Sequence, residues 1–200
     1  MLKLHYAPNT IAVASALALN ETGQEHALVR VDFACAEQTK PAYHKVNPKG
    51  RVPALETEHG ILTETIAILE YVGASLVPDD PWKAAKMREV MTYLATTAHV
   101  NHAHKMRGHR WADRTESWED MTAKVPETMT ASAAYLDAMI AGPFVFGDAL
   151  SLADPYLYAV AVWLEGDGVT VSDFPKISGF LEAMEARASV AKARADGVIA

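Results

Sequence analysis

Arg51-Val-Pro-Ala-Leu-Glu-Thr-Glu-His-Gly-Ile-Leu-Thr-Glu-Thr-Ile-Ala-Ile-Leu-Glu-Tyr71 packs two strands and a helix start into twenty-one residues. A Val52–Pro53 step leads into a short apolar strand at Ala54 and Leu55. The charged turn Glu56-Thr-Glu-His-Gly60 brings the chain back as a second strand at Ile61 and Leu62. Glu64 and Thr65 then open an amphipathic helix with Ile66, Ile68, Leu69 and Val72 as its apolar positions, and Thr63 stands where a cap belongs. Two strands therefore end beside a helix N-terminus. Its unpaired N–H groups and partial positive charge make a seat for a carboxylate.

Upstream, Leu2-Lys-Leu-His-Tyr6 alternates as a first strand, and Pro8-Asn9-Thr10 is a turn. Residues 11–21 form an alanine-rich buried helix, residues 27–33 a second strand, and residues 37–47 a polar loop with one short helix. The order across residues 1–77 is β-α-β-α-β-β-α. A helix between the first two strands makes them parallel, and the tight turn makes the last two an antiparallel hairpin.

Residues 78–81 are a linker, and from Trp82 to Ala200 the pattern is helical throughout. Residues 83–107 read as one long helix, residues 116–140 as a second that Pro126 should kink. Residues 151–165 form a nearly all-apolar buried helix, and residues 175–194 a last helix with Phe180, Leu181 and Met184 inward. Ser151 and Asp154 have the spacing of a capping box. The fold class is an α/β domain followed by an all-α helical bundle.

Composition narrows the function. The 200 residues are 50% hydrophobic and 22% charged, an ordinary globular profile with room for a large core. A net charge of -7 gives no electrostatic support for a duplex nucleic-acid partner. No apolar run reaches the roughly 20 residues of a membrane span. Lys3 before the apolar run 11–19 imitates a signal peptide, but a strand and turn separate charge from run, so secretion is not expected. Cys35 is the only cysteine, so no internal disulfide forms and a cytoplasmic setting is expected. His99, His102, His104 and His109 crowd one helix end, but residues two apart on a helix do not share a face. No cysteine or carboxylate cluster completes a metal site, so none is expected.

The order of elements, with Val-Pro before strand three and Glu-Thr before a helix, resembles the cytosolic glutathione transferases. The residues that carry the resemblance are Asn47-Pro-Lys-Gly-Arg-Val-Pro-Ala-Leu55, Leu62-Thr-Glu-Thr-Ile-Ala-Ile-Leu69 and Phe146-Gly-Asp-Ala-Leu-Ser-Leu-Ala-Asp154. Leu4-His-Tyr-Ala-Pro8 and His104-Lys105 are most similar to the bacterial beta-like branch. The resemblance implies a thioredoxin-like N-terminal domain, a cis Val52–Pro53 bond, a twofold homodimer and glutathione as co-substrate. It also implies that Val52 pairs through its backbone with the cysteinyl residue, that Glu64 meets the ligand ammonium, and that Thr65 holds the γ-glutamyl carboxylate. Arg51 falls beside the peptide, Lys40 or His44 near the glycyl carboxylate, and His104 and Lys105 beside the active cleft. Each of these charges is equally readable as solvated loop or helix-end charge.

The beta-like branch carries a cysteine after the first turn, often followed by serine. Ile11 and Ala12 occupy those positions here, and neither side chain can donate to a thiolate. The nearby hydroxyls are Thr10 and Tyr6. Bringing a thiol from pKa about 8.5 down by about two units needs about 2.7 kcal/mol of preference for the anion. A helix N-terminus gives up to roughly 2 kcal/mol and one charge-assisted hydrogen bond about 1.5–3 kcal/mol, so the chemistry is feasible without cysteine. Thr10 reads equally well as an ordinary N-cap. The expected reaction is conjugation of glutathione thiolate to a small hydrophobic electrophile, held in an apolar pocket between the domains. Asn9, His102, Met106, Trp111 and Trp163 would shape that pocket. The alternatives are isomerase, peroxidase or dehalogenase chemistry, or a non-catalytic fold relative, which Ile11 and Ala12 keep open.

Overall fold

The computed structural model describes residues 1–200. Strands β1 (Leu2–Tyr6), β2 (His26–Arg30), β3 (Ala54–Thr57) and β4 (Gly60–Thr63) form one mixed sheet in the order β2-β1-β3-β4. Between β1 and β2 runs helix α1 (Ala12–Glu21), and the two strands pair parallel from Leu2↔His26 to Tyr6↔Arg30. A parallel pair needs such a crossover, which is why the expected β-α-β start holds. Alanine and serine let α1 bury its whole length from Ala12 to Leu19. The β3–β4 hairpin closes on the pair Thr57↔Gly60, so its turn contains only Glu58 and His59 and is tighter than the expected five residues.

One strand of this unit differs from the sequence expectation. Strand β2 stops at Arg30 rather than residue 33, because Asp32 folds the chain into a turn. Its Oδ1 accepts the N–H of Ala34 (2.9 Å) and of Cys35 (3.3 Å), so Cys35 lies in that turn. The segment after it holds a 3-10 turn, Glu37–Thr39, and the short helix α2 (Pro41–His44). Helix α3 (Thr65–Val72) follows β4 and buries Ile68, Leu69 and Val72.

The chain divides into two compact units, residues 1–84 with 185–200, and residues 85–184. Helix α4 (Pro81–Tyr93), a π-helical turn Leu94–Ala98 and α5 (His99–Arg107) run on without a break as the long helix expected at 83–107, with the π turn inside it. Helices α6 (Thr115–Met139, with Pro126 inside), α7 (Ala153–Ala161) and α8 (Pro175–Glu185) complete the helical unit. Met87, Met91, Leu94, Met129, Tyr156, Tyr158, Phe180 and Met184 are fully buried in its core. No helix is long and apolar enough to cross a membrane.

Ser151 and Asp154 form one half of the expected box. The Asp154 carboxylate accepts the Ser151 N–H (2.7 Å) and hydroxyl (2.8 Å). Its other oxygen accepts the Val145 N–H (2.7 Å), which ties the preceding loop to the helix. The Ser151 hydroxyl oxygen accepts the N–H of Ala153 (3.3 Å), while the Asp154 N–H goes to the Ser151 carbonyl (3.2 Å). The helix itself starts at Ala153, so Pro155 sits in the first turn, where its missing N–H costs no intrahelical bond.

The last helix is split. At Arg187 the backbone is extended (φ -83°, ψ 142°) and helix α9 (Ala188–Ala195) begins anew, packed on α1 in the sheet-bearing unit. The sequence reading of one helix over 175–194, wholly in the helical domain, misses this break. Its cause is electrostatic. Arg187 makes a bidentate pair with Glu21 at the end of α1 (2.6 Å for each nitrogen), and the Ser189 hydroxyl joins the same carboxylate.

Burial pushes the Glu21 carboxyl up, but the hydrogen bonds from Arg187 and Ser189 and the Arg187 charge together bring it below its ordinary value. A carboxyl depressed in the folded state adds stability above its unfolded pKa of about 4.3, and that stability is lost as pH falls through the folded value. Glu21→Gln is therefore expected to cost about 2 kcal/mol at neutral pH, with the difference from the parent closing on acidification. Urea unfolding at both pH values measures it, and a difference that does not change with pH contradicts the assignment.

Candidate functional site

The loop before β3 is held by buried side chains. Asn47 is 1% exposed; its amide donates to the Arg51 carbonyl (2.7 Å) and its carbonyl oxygen accepts the Lys49 N–H (3.1 Å). The Tyr43 hydroxyl on α2 donates to the same Arg51 carbonyl (2.8 Å). Burial, with a smaller contribution from Glu37, pushes the Tyr43 phenol up to about 12, so it stays a donor throughout the working pH range. Gly50 turns the loop at φ +62°, and a Cβ there would lie 2.9 Å from the Gln38 carbonyl, which leaves glycine as the residue that fits. The result is a fixed Arg51–Val52 backbone. The Val52–Pro53 bond is cis, and Val52 N–H and C=O find no partner within the chain. The Arg51 side chain is exposed.

Directly across the hairpin, Glu64 stands at the N-cap of α3 with φ 72° and ψ 124°, a region costly for any side-chain-bearing residue. Backbone strain of this kind concentrates at ligand sites. The Glu64 side chain is 72% exposed, and its carboxylate lies 3.2 Å from Lys49 Nζ. That ammonium also donates to the Thr63 hydroxyl (2.7 Å), so Thr63 is occupied by Lys49 and caps nothing, contrary to the sequence expectation. Thr65 is 9% exposed at the first helical position. The first intrahelical bond runs from Ile68 N–H to Glu64 C=O (3.0 Å), leaving the N–H groups of Thr65, Ile66 and Ala67 at an open helix end.

The turn between β1 and α1 carries the two expected hydroxyls. Tyr6 is 6% exposed at the end of β1. The Thr10 hydroxyl donates to the Ala7 carbonyl (2.7 Å) and lies 3.4 Å from the Ala12 N–H. Its one proton is therefore committed to the turn in this state. Ile11 and Ala12 are buried. Asn9, at φ 56°, is tied to the chain's end by its N–H to Val198 (3.0 Å) and its side-chain oxygen to the Ala200 N–H (2.9 Å).

In the helical unit the histidines do not converge. His99 and His102 pack against Trp163, His104 lies edge-on to Trp111 (4.6 Å), and His109 faces Trp118. Lys105, which the resemblance gives to glutathione, donates instead to the Gly166 carbonyl and to Asp167 (3.2 Å). Lys40 and His44 are exposed, and His44 lies beside Gly50.

Cys35 is exposed, with the Asp32 carboxylate beside it. A hydrogen bond to that carboxylate, and then its charge, hold the thiol above its usual range. A thiol so placed is a poor nucleophile at neutral pH. Cys35→Ser is expected to leave any thiol-transfer activity within about twofold of the parent, as judged by initial rates; a loss of most of the activity would make Cys35 a participant.

Sequence reasoning missed Tyr43, Asn47 and Lys49 as organisers of this site and missed Asp167 altogether. The Asn-Pro-Lys-Gly run before Arg51 is a visible turn signal for the first group. Nothing local marks Asp167, whose partners lie more than sixty residues away.

Two family models cover this frame: the N-terminal domain of glutathione S-transferase matches residues 1–74, and its C-terminal domain matches residues 66–188. A glutathione transferase homologue from Sulfitobacter, crystallised with bound glutathione, is 55% identical over 99% of each chain, with a TM-score of 0.97. Glutathione S-transferase GstA from Escherichia coli O157:H7 is 29% identical over 94% of this chain and 95% of its own. A maleylacetoacetate isomerase from Pseudomonas aeruginosa is 28% identical over 82% of this chain and 81% of its own. With strand order, cis proline, strained Glu64 and both domain models in agreement along its length, the chain belongs to the glutathione S-transferase family.

Proposed function

We propose that the chain conjugates the glutathione thiolate to an electrophilic carbon of a small hydrophobic substrate. The observation that carries this reading is the site on the sheet-bearing unit, where Val52, Glu64 and Thr65 stand together, seen beside a 55%-identical homologue crystallised with glutathione. Val52 N–H and C=O pair with the cysteinyl backbone as an added strand would. Glu64 receives the ligand ammonium in place of Lys49, and Thr65 offers a hydroxyl and helix-end N–H groups to the γ-glutamyl carboxylate. Arg51 lies next to the peptide. Lys105, 3.2 Å from Asp167, stays a candidate for holding anionic glutathione. His104 stays a candidate for polarising the acceptor.

The N-terminus of α1, with the N–H of its N-cap residue Ile11, supplies the helix-end field, and Tyr6 or Thr10 supplies a hydroxyl donor. For Thr10 this requires its proton to leave the Ala7 carbonyl. Isomerisation is the second reading, supported by the similarity to maleylacetoacetate isomerase over 82% of this chain. A homodimer belongs to the proposal and is measured by sedimentation. The test of activity is initial-rate conjugation of glutathione with chlorodinitrobenzene; saturable turnover supports the reading. Binding of glutathione without turnover on any electrophile would reduce the chain to a binding protein.

A further inference from the structure

Helix α9 lies antiparallel along α1 and is tied to it at both ends. At one end Arg187 and Ser189 meet the Glu21 carboxylate, and the Asn20 amide donates to the Ser189 carbonyl (3.1 Å). At the other, α9 ends in a left-handed turn at Gly197 (φ 72°), where the Val198 N–H closes back onto the Ala193 carbonyl (2.9 Å). That reversal delivers Val198 and Ala200 to Asn9. The Asn9 N–H donates to the Val198 carbonyl (3.0 Å), and the Ala200 N–H donates to Asn9 Oδ1 (2.9 Å). The Val198 side chain is fully buried, which anchors the segment. Asn9 has φ 56°, a conformation that asparagine tolerates better than most residues.

Thr10 and Ile11 follow Asn9 directly. Their carbonyls accept the first bonds of α1, from Val13 (3.0 Å) and Ala14 (3.1 Å), while their N–H groups donate to nothing within the chain. Strand β1 pairs antiparallel with β3 as far as His5↔Ala54, so Tyr6 and Ala7 come level with Pro53 and Val52. The open end of α1 therefore stands near the Val52 backbone, inside one compact unit. Donors stabilise an anion best when they are held in place beforehand, because a mobile dipole must first reorganise. We propose that Asn9 is a positioning residue for the thiol: braced by Val198 and Ala200, it holds the Thr10–Ile11 turn toward the sulfur of glutathione bound at Val52. This role rests on the glutathione reading.

The test deletes one tether from either side. Asn9→Gly keeps the left-handed turn and removes the acceptor; Ala200→Pro removes the donor and leaves Asn9 untouched. The readout is the ultraviolet absorbance of the thiolate of glutathione bound to the whole chain, at a pH below the titration of the thiol. Each variant is expected to lower the bound thiolate about threefold, the scale of one exposed hydrogen bond, with kcat falling in step. The double variant should fall no further than Asn9→Gly alone, because both changes remove the same bond. Glutathione affinity, set by Glu64 and Thr65, should stay within about twofold throughout. Unchanged thiolate in either single variant, or losses that multiply in the double variant, overturns the role of Asn9. A parent chain that binds no glutathione overturns the glutathione reading and, with it, this inference.

Discussion

Glu64→Ala is expected to weaken glutathione binding tenfold or more, a loss of about 1.4 kcal/mol at the least. The carboxylate is 72% exposed in the unliganded chain and has a weak partner in Lys49, so its removal should cost the fold little. The ligand ammonium is a different matter. In the proposed complex glutathione covers Glu64, and the pair would be desolvated and fixed by Thr65 and Val52, which would make the charge-assisted bond worth about 1.5–3 kcal/mol. Glu64→Gln keeps the shape and an acceptor oxygen, and should lose less. Calorimetric titration of both variants measures the difference. An unchanged affinity in Glu64→Ala would place the γ-glutamyl end elsewhere.

Asp154→Ala is expected to destabilise the helical unit by about 3 kcal/mol. The carboxylate is buried and binds three groups: the N–H of Val145, the N–H of Ser151 and the Ser151 hydroxyl. Burial, the largest influence, pushes its pKa up, and those donors push the other way without cancelling it. Removing it leaves buried donors without acceptors, at about 1–3 kcal/mol for each. Against a typical domain stability of 5–15 kcal/mol this is a large fraction. Asp154→Asn retains one acceptor oxygen and should fall between. Urea unfolding followed by tryptophan fluorescence gives the comparison; a loss below about 1 kcal/mol in the alanine variant would mean that the loop and helix hold together without this carboxylate.

The sheet-bearing unit was legible because its signals are local. Alternation marks β1, the small buried residues of α1 mark the crossover, and the Val-Pro and Glu-Thr steps mark the hairpin and α3 within twenty-one residues of chain. The strain at Glu64 was not legible, since no residue type announces a positive φ at glutamate. Nor was the break at Arg187, where a partner on α1 competes with an otherwise helical sequence. Pairings of that range leave no periodic trace. The same holds for Asp167, which meets both His102 and Lys105 from a turn far along the chain. Thr10 is a milder case: the sequence offers both a turn role and a thiol role, and the observed bond to Ala7 fills the first without abolishing the second.

The most direct test of the account is calorimetric titration of the parent chain with glutathione. Saturable binding with one site per chain, lost when the γ-glutamyl amine is acetylated, is the expected result, because Glu64 needs a cationic partner. Absence of binding, or equal affinity for the acetylated peptide, would contradict the site built from Val52, Glu64 and Thr65.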